Sequence, residues 1–358
     1  MDAGHHEPRT RPCHRDGAAA RLTGKPAVVF GAPTAYATLP SPPGTQPARE
    51  VPRPVNQLDF LLIDVFTDRP FGGSRLTLFP GASGLDGDTM QKLAMEMGQG
   101  ETAFVLTDVG PEDRQATLRV FTPRVELPFA GHAILGAAFA LLELGLTPAA
   151  RAHEPFVWQL EAGRFEVTSR QTSLGTIHSL CHDAPSFLGE YYQRGKVARA
   201  LGLEESDLAI TGLPCEIIST GLPIHVVPVG SLAAVKRARM RRGEADAIAR
   251  DLGFGDLFLF TFETESPEAT VHCRMFAPHF GIPEDPASGA AVGSLAAYLV
   301  KHRLARTDQD LAFVAEQGLE MGRPSRLFVE ARVANGRAVS IHVGGHCVLV
   351  GQGRIQLP

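Results

Sequence analysis

From Gln57 onward the apolar residues switch between two spacings. LDFLLIDVF reads as a buried strand over 58–66 and RLTLFP as a second over 75–80, separated by the turn Pro70-Phe71-Gly72-Gly73. DGDTMQKLAMEMG then places Met90, Leu93, Ala94 and Met97 at i, i+3, i+4 and i+7. That spacing predicts an amphipathic helix, capped by Asp86 or Asp88 and broken at Gly98 and Gly100. TAFVLT and ATLRVF follow as a strand pair about the turn Gly110-Pro111-Glu112-Asp113. After the loop TPRVELPFAGH, the segment AILGAAFALLELG is apolar on every side and stops at Gly145. A helix with no polar face must be enclosed by protein.

The second half repeats this plan. ATVHCRMFAPHFGIPEDPASGAAVGSLAAYLVKH matches QATLRVFTPRVELPFAGHAILGAAFALLEL in layout. Each has a strand ending in Arg-x-Phe-x-Pro (Arg119, Phe121, Pro123; Arg274, Phe276, Pro278), a loop with a proline (Pro128, Pro283), a glycine turn (Gly131, Gly289) and an all-apolar helix. The pattern predicts two similar domains of α+β class, each wrapping strands around one buried helix. Further strands are FVWQL, RFEVTS, LGTIHSL, PIHVVPV and FLFTF; SRLFVEARV and RAVSIHV flank Asn335-Gly336, a strong hairpin signal. Amphipathic helices at about 195–202, 231–241 and 244–253 are peripheral. The domains are placed at 57–178 and 179–344, with a strand over 345–358 free to return to the first.

Composition narrows the function classes. Of 358 residues, the first 56 are rich in Pro, Ala, Arg and Gly without a helical or strand period, so a disordered extension is expected there, with a targeting role the minor alternative. The remaining chain is long enough for two cored domains. A net charge of −5 without a basic stripe argues against a nucleic-acid partner. The most apolar stretch, Ala133 to Leu142, is too short to span a bilayer. Five scattered cysteines with no C-x-x-C pair fit a reducing, cytoplasmic setting and no cysteine-held zinc.

Candidate chemistry gathers at the two helix starts. Unused N–H groups at Gly131–His132 and at Gly289–Ala290 would sit at the positive ends of enclosed helices and favour a carboxylate. The alternative is that these glycines only make tight turns. Glu101, between Gly100 and the apolar run TAFVL, is partly shielded from water and suited to take and return a proton; an ordinary solvent-facing strand start is the other reading. Asp285, in Pro283-Glu284-Asp285-Pro286, is either a second acid or a partner of the helix dipole, with Glu284 the more solvent-like neighbour. His132 at a helix N-terminus is expected to be neutral. His342 and His346 lie four apart in a strand-rich stretch, poor spacing for a metal.

DVFTDRPFGGSRLTLFP, GETAFV, FTPRVELPFAGHAILG, GIPEDPASGAAVG and EQGLEMGRPS occur in order from Asp64 to Ser325. Together they resemble the successive signatures of the phenazine-biosynthesis PhzF family. The resemblance implies the fold of diaminopimelate epimerase: two pseudo-symmetric domains, each a β-barrel-like sheet around a central apolar helix. It implies a homodimer that isomerises a small carboxylate-bearing, cyclic substrate, such as trans-2,3-dihydro-3-hydroxyanthranilate, without metal or cofactor. On it, Glu101, His132 and Asp285 match the catalytic set, and Gly131, Gly289, Ala290 and Ser74 fall in the substrate-binding segments. Three positions depart from the usual family pattern. Gly289-Ala290-Ala291 replaces Gly-Ser-Ala and removes a hydroxyl at Ala290. Gly73-Ser74-Arg75 replaces Gly-Asn-Pro and puts a cation near the entrance. Gly100 replaces the serine before Glu101.

The expected activity is therefore proton transfer between carbons, with Glu101 carrying the proton and Asp285 and His132 orienting substrate. Two rivals stand beside it. A racemase on the same scaffold would need paired thiols at the helix starts, where no cysteine lies. A binding protein that has lost turnover would keep the scaffold and the carboxylate site.

Overall fold

Alternation along the strands sorts apolar side chains onto two faces, and each face acquires its own helical cover. The computed structural model describes residues 57–98, 100–106, 115–143, 145, 154–278, 282–305 and 309–357. The expected extension over 1–56 and the expected turn at 110–113 lie outside the described residues. The first half opens with β1 (Gln57–Val65), β2 (Ser74–Phe79), α1 (Gly87–Met97), β3 (Glu101–Val105), β4 (Gln115–Phe121) and the short β5 (Glu126–Leu127). Helix α2 (Gly131–Glu143) and strands β6 (Phe156–Leu160), β7 (Gly163–Thr172) and β8 (Gly175–His182) complete it. The second half begins with β9 (Ser186–Tyr191), α3 (Arg194–Leu201), α4 (Glu205–Ala209), β10 (Cys215–Ser219) and β11 (Pro223–Pro228). Next come α5 (Leu232–Arg237), α6 (Arg242–Leu252), β12 (Leu257–Thr261), β13 (Val271–Ala277) and β14 (Ile282–Asp285). It ends with α7 (Gly289–Lys301), β15 (Leu311–Gln317), a 3-10 turn at Leu319–Met321, β16 (Ser325–Ala334), β17 (Arg337–Gly345) and β18 (Cys347–Gln356).

The duplication read from the sequence holds strand by strand. β2 pairs parallel with β3, β3 antiparallel with β4, and β4 antiparallel with β5 and parallel with β6. β11, β12, β13, β14 and β15 repeat every one of these relations in the same order. The halves are joined by β8 lying antiparallel to β17, and β18 lies antiparallel to β1. One face of β1 to β4 packs Ile63, Val65, Leu76, Leu78, Ala103, Val105, Leu118 and Val120 around α2. The matching face of the second half packs Ile224, Val226, Phe258, Phe260, Cys273 and Met275 around α7, in the same continuous core. The opposite faces carry separate covers. Phe79, Phe104 and Phe121 pack with Met90, Leu93 and Ala94 of α1, and Ile217, Val227, Leu257 and Leu259 pack with α3 to α6.

The repeated Arg-x-Phe unit belongs to these outer faces. Arg119 lies over the Phe121 ring at 5.1 Å and pairs with Glu126 through Nε and an Nη, each 2.6 Å from a carboxylate oxygen. Arg274 lies over Phe276 at 4.7 Å and pairs in the same two-pronged way with Glu284 at 2.8 and 2.9 Å. Each pair ties a short strand to its long neighbour, a geometry that only the planar guanidinium fork provides. Glu284 is therefore an ion-paired residue and not the solvent-like neighbour expected. Arg274 also donates to the carbonyls of Val235 and Ala238 at 2.9 Å, closing α5 at its C-terminus. Helix α5 stops at Arg237, short of the 241 expected, because Ala238 turns extended and the amides of Arg239 and Arg241 bond instead to the Leu201 and Ala200 carbonyls.

Candidate active site

Register decides which side chains meet at the starts of the enclosed helices. Leu76 lies beside Glu101 in the parallel β2–β3 pair, and both face α2. Gly100, just before, has φ +66, and a Cβ there would stand 2.8 Å from the Arg75 carbonyl oxygen, so glycine is required. His132, the second residue of α2, brings Nε2 to 2.8 Å from Glu101 Oε2, with the two side chains 14% and 13% exposed. The two atoms face each other as a buried ion pair, and neither has another hydrogen-bond partner among the described residues.

Asp285 arrives from the other half. It lies opposite Met275, an inner-face residue, so its carboxyl turns inward while Glu284 turns outward to Arg274. Asp285 Oδ1 accepts from the Ala287 N–H at 3.2 Å, and the Ser74 hydroxyl lies 3.4 Å from Oδ1 and 3.2 Å from the Ala287 carbonyl. The Gln317 amide donates to the Asp285 carbonyl at 2.7 Å. The structure thus brings together Glu101, His132, Asp285 and Ser74 from two halves of the chain. Arg75 falls on the opposite face of β2 from Ser74 and Leu76, so the cation expected near the entrance does not share Ser74's face.

The charges are coupled. Burial pushes the Asp285 carboxyl up; Glu101 adds to this, and His132, the Ala287 amide and Ser74 oppose it. For His132, burial disfavours the cation, but the charge and contact of Glu101, with Asp285 beyond, outweigh it and raise the imidazole above 6.5. This direction runs against the neutral imidazole expected from a helix start alone: the two carboxyls favour its cation.

At the helix starts, the first internal bonds are Ile134 N–H to the Ala130 carbonyl and Val292 N–H to the Ser288 carbonyl. The amides of 131–133 and 289–291 are therefore not used within the helices. Ser288 makes no side-chain cap. Neither Gly131 nor Gly289 has a positive φ, and a Cβ at either would meet only ordinary contacts, the nearest 3.6 and 3.5 Å away. Neither backbone shape nor protein packing demands glycine at these two positions. Ala290 brings no hydroxyl; its carbonyl accepts from Thr220 Oγ1 at 3.4 Å.

Three residues here escaped the sequence reading: Asp64, Arg323 and Gln317. Arg323 donates to Asp64 Oδ1 at 2.7 Å, the Gly72 carbonyl at 2.6 Å and the Gly73 carbonyl at 2.8 Å. Gln317 holds the Asp285 turn. All lie inside the quoted family segments, but their partners are far away in sequence. His342 and His346 go to separate partners, Ser340 and the Thr176 carbonyl. Among the described residues no cluster of three or more metal-ligating side chains occurs. The Cys215, Cys273 and Cys347 thiols are pushed up by burial. Among the described residues no helix is long and apolar enough to cross a membrane.

The family described as phenazine biosynthesis-like protein matches residues 63–353. An isomerase of Mesorhizobium japonicum is 33% identical over 301 residues, covering 83% of this chain and 98% of that protein. The trans-2,3-dihydro-3-hydroxyanthranilate isomerase of Pseudomonas aeruginosa is 32% identical over 306 residues, covering 83% and 99%. Among solved structures, a PhzF-family protein of Bacillus anthracis superposes with a TM-score of 0.76 at 26% identity, covering 84% and 99%. A hydroxyproline epimerase of Agrobacterium vitis, at 11% identity and a TM-score of 0.53, shares the fold, covering 85% of this chain and 93% of its own.

Proposed function

This chain belongs to the phenazine biosynthesis-like (PhzF) family and is an isomerase, and on that premise we propose that it moves a proton between carbons of a small cyclic carboxylate resembling trans-2,3-dihydro-3-hydroxyanthranilate. The observation that carries this reading is the 2.8 Å approach of His132 Nε2 to Glu101 Oε2 beside the buried Asp285. The substrate carboxylate is held by the unused amides at Gly131 and Gly289, where missing side chains leave room for close approach. Glu101 takes a proton from one ring carbon, the electron pair shifts through the conjugated system, and the carboxylic acid so formed returns the proton to another ring carbon. Nothing is oxidised or reduced. His132 and Asp285 present hydrogen bonds to the substrate's polar groups and hold Glu101 in place, while Ser74 steadies Asp285.

General acid–base assistance of this kind contributes about 10²–10⁴-fold, and positioning contributes the remainder. The experiment is isomerisation of trans-2,3-dihydro-3-hydroxyanthranilate in deuterated water. Wild type should relocate a hydrogen within the ring and admit solvent label in part, and Glu101→Gln should abolish both. A Glu101→Gln protein working within a few-fold of wild type ends the assignment. A racemase's paired thiols have no counterpart at the two helix starts, where neither Gly131–Ala133 nor Gly289–Ala291 includes a cysteine. The same reading places the protein in the cytoplasm as a homodimer; size-exclusion chromatography with light scattering tests the latter.

A further inference from the structure

The proposed chemistry joins Glu101 and His132 of the first half to Asp285 of the second, so beyond the β8–β17 ladder that joins the halves something must fix these segments in register. Direct contact between these segments is slight. The Ser74 hydroxyl lies at 3.4 Å from Asp285 Oδ1 and 3.2 Å from the Ala287 carbonyl, both long for O–H···O bonds. The segment Gln317–Ser325 supplies a stronger link. At one end, Gln317 holds the Asp285 carbonyl at 2.7 Å. At the other, the Ser325 hydroxyl donates to the Pro286 carbonyl at 2.8 Å. Between them Arg323 reaches across to the first half and makes its three bonds to Asp64, Gly72 and Gly73, while the Gly73 N–H donates to the Pro324 carbonyl at 3.1 Å.

The loop it grips does not hold its own shape cheaply. Phe66 and Phe71 both have positive φ, at 68° and 70°, a conformation that costs a bulky residue on the order of 1–2 kcal/mol. Gly72 and Gly73 cannot carry side chains: a Cβ would stand 2.5 Å from Thr67 Oγ1 and 2.0 Å from the Val65 carbonyl oxygen, respectively. Asp64, fully buried, accepts from the Phe71 N–H at 2.7 Å with one oxygen and from Arg323 with the other. Ser74, the next residue of the loop, is the one that touches Asp285. From these contacts we infer that Arg323 is a positioning residue: its guanidinium, locked to Asp64 and the Gly72 and Gly73 carbonyls, sets the distance between Asp285 and the Glu101–His132 pair. The inference rests on the proposed reaction only for its catalytic consequence.

The test uses the full chain with Arg323→Ala, Arg323→Lys and Asp64→Asn, and Arg170→Ala as a control that removes an exposed ion pair, Arg170 with Glu330. The first readout needs no substrate: the titration midpoint of His132, followed by NMR of labelled histidine and assigned by its loss in His132→Asn. Drawing Asp285 away should lower that midpoint by about 0.5 pH unit or more in Arg323→Ala. Lysine, a point charge that cannot fill three acceptor positions, should restore it only in part. The second readout is turnover: kcat should fall about tenfold or more, with KM changing less. The control should move neither. An unchanged His132 midpoint in folded Arg323→Ala overturns the inference. If Arg323→Ala does not fold, the midpoints in Arg323→Lys and Asp64→Asn decide in the same way. If wild type does not turn over the substrate, the proposed reaction fails, and the His132 midpoint alone still supports or overturns the clasp.

Discussion

Acidification should unfold this protein through histidines that stay neutral in its core. His225 is fully buried on β11, neither ring nitrogen has a hydrogen-bond partner among the described residues, and burial lowers it to about 3. His178 and His182 are lowered by burial to about 4. In the unfolded chain each titrates near 6.5. Below that pH the unfolded state binds the proton and the folded state refuses it, so stability falls as pH drops from about 6.5 towards the folded values. Each pH unit is worth about 1.4 kcal/mol per group, so between pH 7 and pH 5 each histidine withdraws about 2 kcal/mol. His132 and His272, raised by their carboxylate partners, act in the opposite sense, so the net loss is smaller than the sum over all three. The clean measurement is a difference. His225→Leu fills similar space and removes two unsatisfied nitrogens, so its stability at pH 7 should be close to that of wild type. Urea denaturation at both pH values should then show wild type losing about 2 kcal/mol more than the variant on going to pH 5. Parallel losses would refute the reasoning, since they would mean that His225 takes up its proton without unfolding.

Further outcomes follow from the same contacts. Gly289→Ala and Gly131→Ala should leave the melting temperature within a few degrees, because a Cβ meets only ordinary contacts, yet raise KM by about tenfold or more by blocking carboxylate approach; unchanged KM would show that the acid group binds elsewhere. Gly73→Ala, whose Cβ would lie 2.0 Å from the Val65 carbonyl oxygen, should fail to give soluble protein or lose about 3 kcal/mol or more by denaturant titration. Asp285→Asn removes one of the charges that raise His132, so the His132 midpoint should fall when followed by NMR. Arg274→Met strands Glu284 and uncaps α5, and should cost about 3–5 kcal/mol, more than Arg119→Met, whose partner Glu126 remains partly open to water.

Much of the fold could be read from spacing alone. The apolar runs of α2 and α7 have no polar face to misplace, and the strand alternation around them settles which side of β3 Glu101 occupies. The site was less legible. A helix start visible in the sequence predicts a neutral His132, whereas the two carboxyls that favour its cation come from β3 and β14. The departure from Gly-Asn-Pro puts Arg75 in an entrance segment, but one step along a strand from Ser74 changes the face. The Arg-x-Phe repeat was visible as a pattern, yet its reason required the partner strands that bring Glu126 and Glu284 to the guanidinium forks. Arg323 and Gln317 gave no local signal, since what they do is hold residues more than 30 or 200 positions away.

The duplication explains why such long-range holding is needed. Each half supplies the same scaffold: an enclosed helix with unused amides at its start and an Arg–Glu fork on the outer face of its short strand. The chemistry is not duplicated. Glu101 and His132 stand in the first half, whereas the second contributes Asp285 at a position that corresponds to Leu127, opposite Met275 where Leu127 lies opposite Val120. An apolar residue in one copy and an acid in the other give the two halves different tasks on one scaffold. A site divided in this way draws its asymmetry from differences such as this one, and it needs both halves. Its geometry then depends on whatever ties the copies together, and in this chain the β8–β17 ladder is joined beside the site by one guanidinium and a buried aspartate.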